Sequence, residues 1–187
     1  MDLSKLYRLY DRVLEAIAAA MMAIVTLIII AGFFFRWVGY SLVWYDEVGG
    51  IALCWLTYYA GALAALRGAH IGFPGLVNVL PAKWRVAATF LASAVTIFFF
   101  ALLTWTGLEV QRVLKGDVLV SLPDVSLQIT QSVIPIAAVL FVIAELIRLP
   151  GLLHEAKRGP LLDHEVKEAL ESVGVDPLQA TEKARPS

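Results

Sequence analysis

A chain of 187 residues that is 59% hydrophobic and only 17% charged, with a mean hydropathy of +0.76, is too oily for a soluble globular domain; such domains are about half apolar and about a quarter charged. The formal net charge of -1 and the lack of any basic stripe interleaved with aromatic residues give no footprint for nucleic acid. The single cysteine, Cys54, makes no intrachain disulfide and joins no Cys/His metal pattern.

The chain opens with Leu3, Leu6, Tyr7, Tyr10, Val13 and Leu14 on a helical period and Lys5, Arg8, Asp11 and Arg12 opposite them. Residues 1–15 therefore read as an amphipathic segment in the membrane surface, or equally as the first turns of a long, tilted helix. The apolar run that follows is far longer than the about 7–15 residues of a secretory signal core, and Phe33-Phe34-Phe35-Arg36-Trp37 is no cleavage site. This first helix is expected to stay in the mature protein.

Four uncharged runs cover 16–35, 48–66, 86–108 and 125–144. Each is close to the about 20 residues a helix needs to cross the hydrocarbon core, and none alternates apolar with polar residues as a barrel strand would. The expectation is an all-α integral membrane protein with four transmembrane helices over 16–149, short interfacial helices, and a tail over 150–187. Between the first two runs lies a link rich in charge and aromatic rings, with Arg36 at one end and Trp44, Asp46 and Glu47 at the other. Trp and Tyr favour the water boundary, so the link sits there. Its charges either stop the two helices at the surface or form an ion pair across the link.

Lys5, Arg8, Arg12, Arg67, Lys83, Arg85, Arg148, Lys157 and Arg158 flank one side of the spans, and only Arg36, Arg112 and Lys115 the other. By the bias of Lys and Arg towards the cytoplasm, both termini are cytoplasmic and the links 36–47 and 109–124 face outward. The cytoplasmic link 67–85 is too apolar for open water, and Pro74 and Pro81 bracket a brief interfacial helix. Pro150-Gly151 ends the hydrophobic region. Residues 161–173 read as a short amphipathic helix stopped by Gly174, and from Asp176 onward the tail reads as disordered.

The chemistry is marked by absence. No Asp, Glu, Lys, Arg or His falls within the four runs, whereas ion-coupled pumps and proton relays place such residues at membrane depth. No pair of histidines faces across helices to hold a haem, and no Ser/His/Asp set meets at one depth. No cofactor or metal is expected. The second helix carries small residues four apart, among them Gly61, Ala64, Ala65 and Gly68, a spacing that lets helix backbones approach closely in lipid. They serve packing within the chain or docking to another membrane protein. Gln128 and Gln131 in the fourth run should face protein or water.

Several stretches together resemble the small membrane subunit (DctQ type) of the tripartite ATP-independent periplasmic transporters. They are Arg36 with Trp44-Tyr45-Asp46-Glu47, the small-residue helix ending in Arg67-Gly68-Ala69-His70, Leu80-Pro81 with Arg85, and Pro123 followed by Pro135. The likeness covers about residues 10–150 and departs at Gly72-Phe73-Pro74, where the family often has an acidic residue. The resemblance implies a non-enzymatic subunit of the bacterial inner membrane. It would support a large transport subunit driven by a sodium gradient and help receive a periplasmic solute-binding protein that captures carboxylate-bearing solutes. Arg36, Trp44, Asp46, Glu47, Gly61, Ala64, Ala65, Arg67, Gly68, His70, Pro123 and Pro135 are then the candidates for partner contact. Two other readings are a channel or carrier made by this chain alone as an oligomer, and a subunit of a membrane-bound redox enzyme.

Overall fold

The apolar runs hold no charge and, before Pro135, no proline, so nothing interrupts the backbone hydrogen bonding that lipid demands of a spanning segment. The computed structural model describes residues 3–69, 77–159, 161, 166, 169–170 and 172–174. It contains the helices α1 (Leu3–Trp37), α2 (Tyr45–Arg67), α3 (Ala82–Val113), α4 (Leu127–Gln131) and α5 (Val133–Arg158). Lys5–Trp37, Tyr45–Arg67, Ala82–Val113 and Leu127–Arg158 are each long and apolar enough to cross a membrane. The all-helical, four-span expectation holds, and among the described residues there is no strand, only an isolated bridge between Val118 and Ser126. The short helix expected within the link 67–85 falls largely outside the described residues, as do most of the expected tail helix and everything from Asp176.

The helices outrun the uncharged stretches that announced them. A run ends at its first charge, but a helix continues wherever charged side chains can reach water. Residues 3–15 are thus the opening turns of α1, with Leu14 enclosed. Pro150 does not end the last helix, which continues to Arg158; a proline costs one donor, and spanning helices tolerate that where neighbours satisfy the backbone. The true stops are glycines. Gly39 and Gly68 have positive φ, and behind them Tyr40 N donates to Phe35 O and Ala69 N to Ala64 O, both at 2.9 Å. This six-residue closure at a left-handed glycine ends α1 and α2.

The interruption between α4 and α5 follows from Pro135, which has no N–H to offer the Gln131 carbonyl. Ser126 caps the start of α4 by accepting from Gln128 N, and Ser132 N turns back to Ile129 O at 3.3 Å. The Trp55 indole donates to Thr130 O at 2.8 Å beside this break.

The chain divides into two compact units. One comprises Met1–Leu63 and Phe100–Phe141; it encloses Leu14, Val25, Ala62, Leu119, Val133 and Ala137. In it the Phe100 and Phe141 rings stack with centroids 3.6 Å apart, and Tyr10 Oη donates to Leu140 O at 2.6 Å. The other comprises Ala64–Phe99 and Val142–Ser187; it encloses Ala65, Leu66, Ala144 and Ala156 together with Arg85, Thr89, Ser93 and Glu145. The first and third spans are the least enclosed, showing outward such residues as Leu27, Ile30, Phe33, Phe90, Leu91 and Phe98, which suit lipid contact.

Candidate functional site

Two arrangements of polar groups stand out, one in each unit. In the first unit α2 begins with Asp46 and Glu47 in its first turn, where carboxylates complement the positive end of the helix. Asp46 is exposed and Trp44 half-buried, the latter accepting Val48 N at 3.0 Å. Glu47 points elsewhere than to Arg36. Its carboxylate accepts from Ser121 N at 2.8 Å, from Val120 N at 3.3 Å and from the Ser121 hydroxyl. Arg36 is exposed and, among the described residues, forms no ion pair. Of the two readings of the link's charges, the ion pair across it is not formed at Glu47: two main-chain donors and one hydroxyl between α3 and α4 take the carboxylate, and three convergent donors outcompete one exposed guanidinium.

The segment so held is itself ordered by pairing. Leu119 N donates to Val125 O and Leu127 N to Asp117 O, each at 3.0 Å, while Leu122 O accepts Val125 N at 2.9 Å across a turn containing Pro123. Proline's fixed φ suits such a turn. Leu119 is enclosed, whereas Val118, Val120, Pro123 and Asp124 are exposed. Gln128 Nε2 donates to Gln111 O at 2.7 Å, so Gln128 faces protein as expected. Pro135 is buried against Gly107, where an added Cβ would lie 3.1 Å from Pro135 Cδ. Both prolines are thus placed by local chain geometry.

In the second unit the sequence reading missed a polar core. The fourth span does not stop at residue 144, and Glu145, only 5% exposed, accepts from Ser93 Oγ at 2.7 Å. Ser93 lies about 10 Å along the helix from the start of the 86–108 run, at 1.5 Å per residue. A buried acid one residue past the fourth uncharged run thus bonds a side chain within the third, while the runs themselves stay free of charge as expected. Arg148, one turn on, places Nη1 4.0 Å from Glu145 Oε2. Its guanidinium covers Gly68, where a Cβ would meet Nη2 at 2.6 Å. Arg85, only 7% exposed, donates from Nε to Ala156 O at 2.7 Å, while Thr89 bonds back to Arg85 O. A guanidinium from another helix thus lies at the C-terminal end of α2 and another at that of α5, where the helix dipole favours positive charge. Asn78 adds a two-way clamp on Leu161, donating to its O at 2.8 Å and accepting its N at 2.7 Å.

The remaining candidates separate by environment. Ala65 is fully enclosed within the chain, and Ala64 and Arg67 are half-buried. Gly61 has open space where a Cβ would project. His70 lies outside the described residues. The signal that could have exposed the polar core was Glu145 and Arg148 three apart directly after an uncharged run, with Ser93 alone among apolar neighbours.

Replacing Ser93 with Ala removes one interhelical hydrogen bond, which in membranes is worth about 0.6–1.7 kcal/mol. Unfolding of the purified chain in mild detergent should register a loss of that size, well below the effects expected at Arg148.

Compared with known proteins, the chain matches the family model described as Tripartite ATP-independent periplasmic transporters, DctQ component, over residues 25–154, more than half of its length. The match begins within α1 and ends within α5. No curated protein matches the chain significantly.

Proposed function

The chain belongs to the DctQ component family of the tripartite ATP-independent periplasmic transporters, and from that premise we propose that it is the small inner-membrane subunit of a sodium-driven importer of carboxylate-bearing solutes. It scaffolds a large transport subunit, which uses the sodium gradient, and its outward links help receive a periplasmic solute-binding protein. The family match carries this reading. The bias of basic residues supports cytoplasmic termini and outward-facing links 36–47 and 109–124. The fixed partners of Glu145 support a structural acid rather than a transported-ion site, since Ser93 and Arg148 already occupy it.

Co-expression with a large membrane subunit of the same transporter family tests the scaffold role: the two should co-purify, and neither alone should accumulate solute in liposomes. Concentrative uptake by this chain alone would replace the scaffold with a self-assembling carrier, and Glu145 would then be its first candidate site. The small-residue seam gives a sharper test. Gly61 faces open space, so Gly61→Leu should leave the melting temperature of the isolated chain unchanged. If this face of α2 meets the large subunit, the same change should cut co-purification at least tenfold, because a bulky side chain prevents close helix approach. Unchanged co-purification would remove this face from the interface.

A further inference from the structure

Independently of the transporter reading, we propose that the first turn of α3 and the last turn of α5 form a site for the phosphate of an anionic phospholipid. The starting point is an inverted charge pattern. A helix begins with a positive end and unpaired N–H groups, which acidic side chains complement, as Asp46 and Glu47 do in α2. The first turn of α3 carries no acid and holds Lys83 and Arg85 instead. The bond from Arg85 Nε to Ala156 O sets the last turn of α5, with exposed Lys157 and Arg158, against this turn. Across residues 82–85 and 155–158 four cations meet one acid, Glu155, which already has an interaction of its own.

Arg85 is the second sign. It is only 7% exposed, yet among the described residues it pairs with no carboxylate, and Ala156 O takes only its Nε–H. A guanidinium has five N–H donors, so four are left over on a cation almost removed from water, a costly state without a counter-charge. Arg85 N is the first in α3 to bond back, to Pro81 O at 2.9 Å, and the N–H groups of residues 82–84 find no acceptor among the described residues. Helical side chains lean toward the helix start, which carries this guanidinium toward those open donors. A phosphate satisfies both.

The adjoining surface selects a lipid over a soluble phosphate. Trp84, 68% exposed, heads a stripe continued by Leu91, Val95 and Phe98, each more than half exposed on the same face of α3. Indole rings lie at headgroup level. At 1.5 Å per residue Val95 is about 16 Å deeper than Trp84, close to the about 15 Å of hydrocarbon in one leaflet. Phosphate donors and a face for the acyl chain thus fall on one helix at the separation a phospholipid has.

The test is native mass spectrometry of the purified full-length chain, titrated in mild detergent with phosphatidylglycerol or with phosphatidylcholine of the same acyl chains. Phosphatidylglycerol should bind at least about tenfold more tightly. Lys83→Gln changes an exposed side chain; it should leave the lipid-free melting temperature unchanged and weaken phosphatidylglycerol about fivefold. Arg85→Gln should abolish the preference between the two lipids. Lys115→Gln, an exposed cation beyond the other end of α3, should change nothing. Equal binding of both lipids by the wild-type chain would overturn the site, as would wild-type binding by Lys83→Gln. Equal losses in Lys83→Gln and Lys115→Gln would overturn it too, leaving only diffuse charge attraction. Should Arg85→Gln fail to fold, Lys83→Gln decides alone. Displacement of phosphatidylglycerol by glycerol phosphate would overturn the lipid as occupant and give the donors to a soluble phosphate.

Discussion

Arg148→Met is expected to destabilise the subunit by about 3–5 kcal/mol, the cost of leaving a buried charge without its partner. Glu145 is nearly fully enclosed and keeps only the Ser93 hydroxyl once the guanidinium is gone. The energetics are asymmetric: an intact buried pair adds little, because both ions had to leave water, but half a pair is worse than none. Glu145→Leu combined with Arg148→Met should therefore recover most of the loss. The measurement is unfolding of the purified chain in mild detergent, read for each single change and for the pair. A double variant as unstable as the worse single one would show that the carboxylate and guanidinium do not act as a pair. Gly68→Ala should fall between these, since it combines a positive-φ strain of about 1–2 kcal/mol with displacement of the same guanidinium.

Gly32→Ala should be the most damaging single-methyl addition in the first unit. An ideal Cβ there would lie 2.2 Å from Tyr45 Cδ2 and 2.7 Å from Cγ. Those atoms belong to the root of a rigid ring at the start of α2, so the ring cannot simply swing away and the helix must move. Overpacking of this kind costs about 1–3 kcal/mol. The partner variant isolates the cause: in a Tyr45→Ala background the added methyl should cost almost nothing, and the double-mutant cycle should return nearly the whole penalty as coupling. Gly50→Ala, where a Cβ meets nothing within 4 Å, is the control and should be silent. Equal losses at Gly32 and Gly50 would point to helix flexibility rather than ring contact.

The four spans were legible because hydrophobic length is a property of the sequence alone. Their ends were less so. Charge marks where lipid stops, while Gly39 and Gly68 mark where the α1 and α2 backbones stop; the two boundaries are offset in α1, from Arg36 to Gly39, and adjacent in α2, from Arg67 to Gly68. Glu47 was legible as important but not in its partner, because the donors that hold it are main-chain groups some seventy residues away and leave no residue pattern. Gly32 looked like one small residue in an oily run; only the placement of Tyr45 gives it a role. Glu145 lies one residue past the end of the fourth uncharged run, so absence of charge places it outside the span although the helix continues through it.

The polar core of the second unit also sets an order on biogenesis. The partners of Ser93, Arg85, Asn78 and the end of α2 all lie between residues 145 and 161, the last part of the helical domain to leave the ribosome. Until that portion is inserted, Ser93, Arg85 and Asn78 lack the partners that hold them in the folded chain, and an unpaired polar group is costly in lipid. Truncation before residue 145, which keeps the fourth uncharged run but removes these partners, should thus shorten the lifetime of the chain in the membrane, as read by pulse-chase labelling.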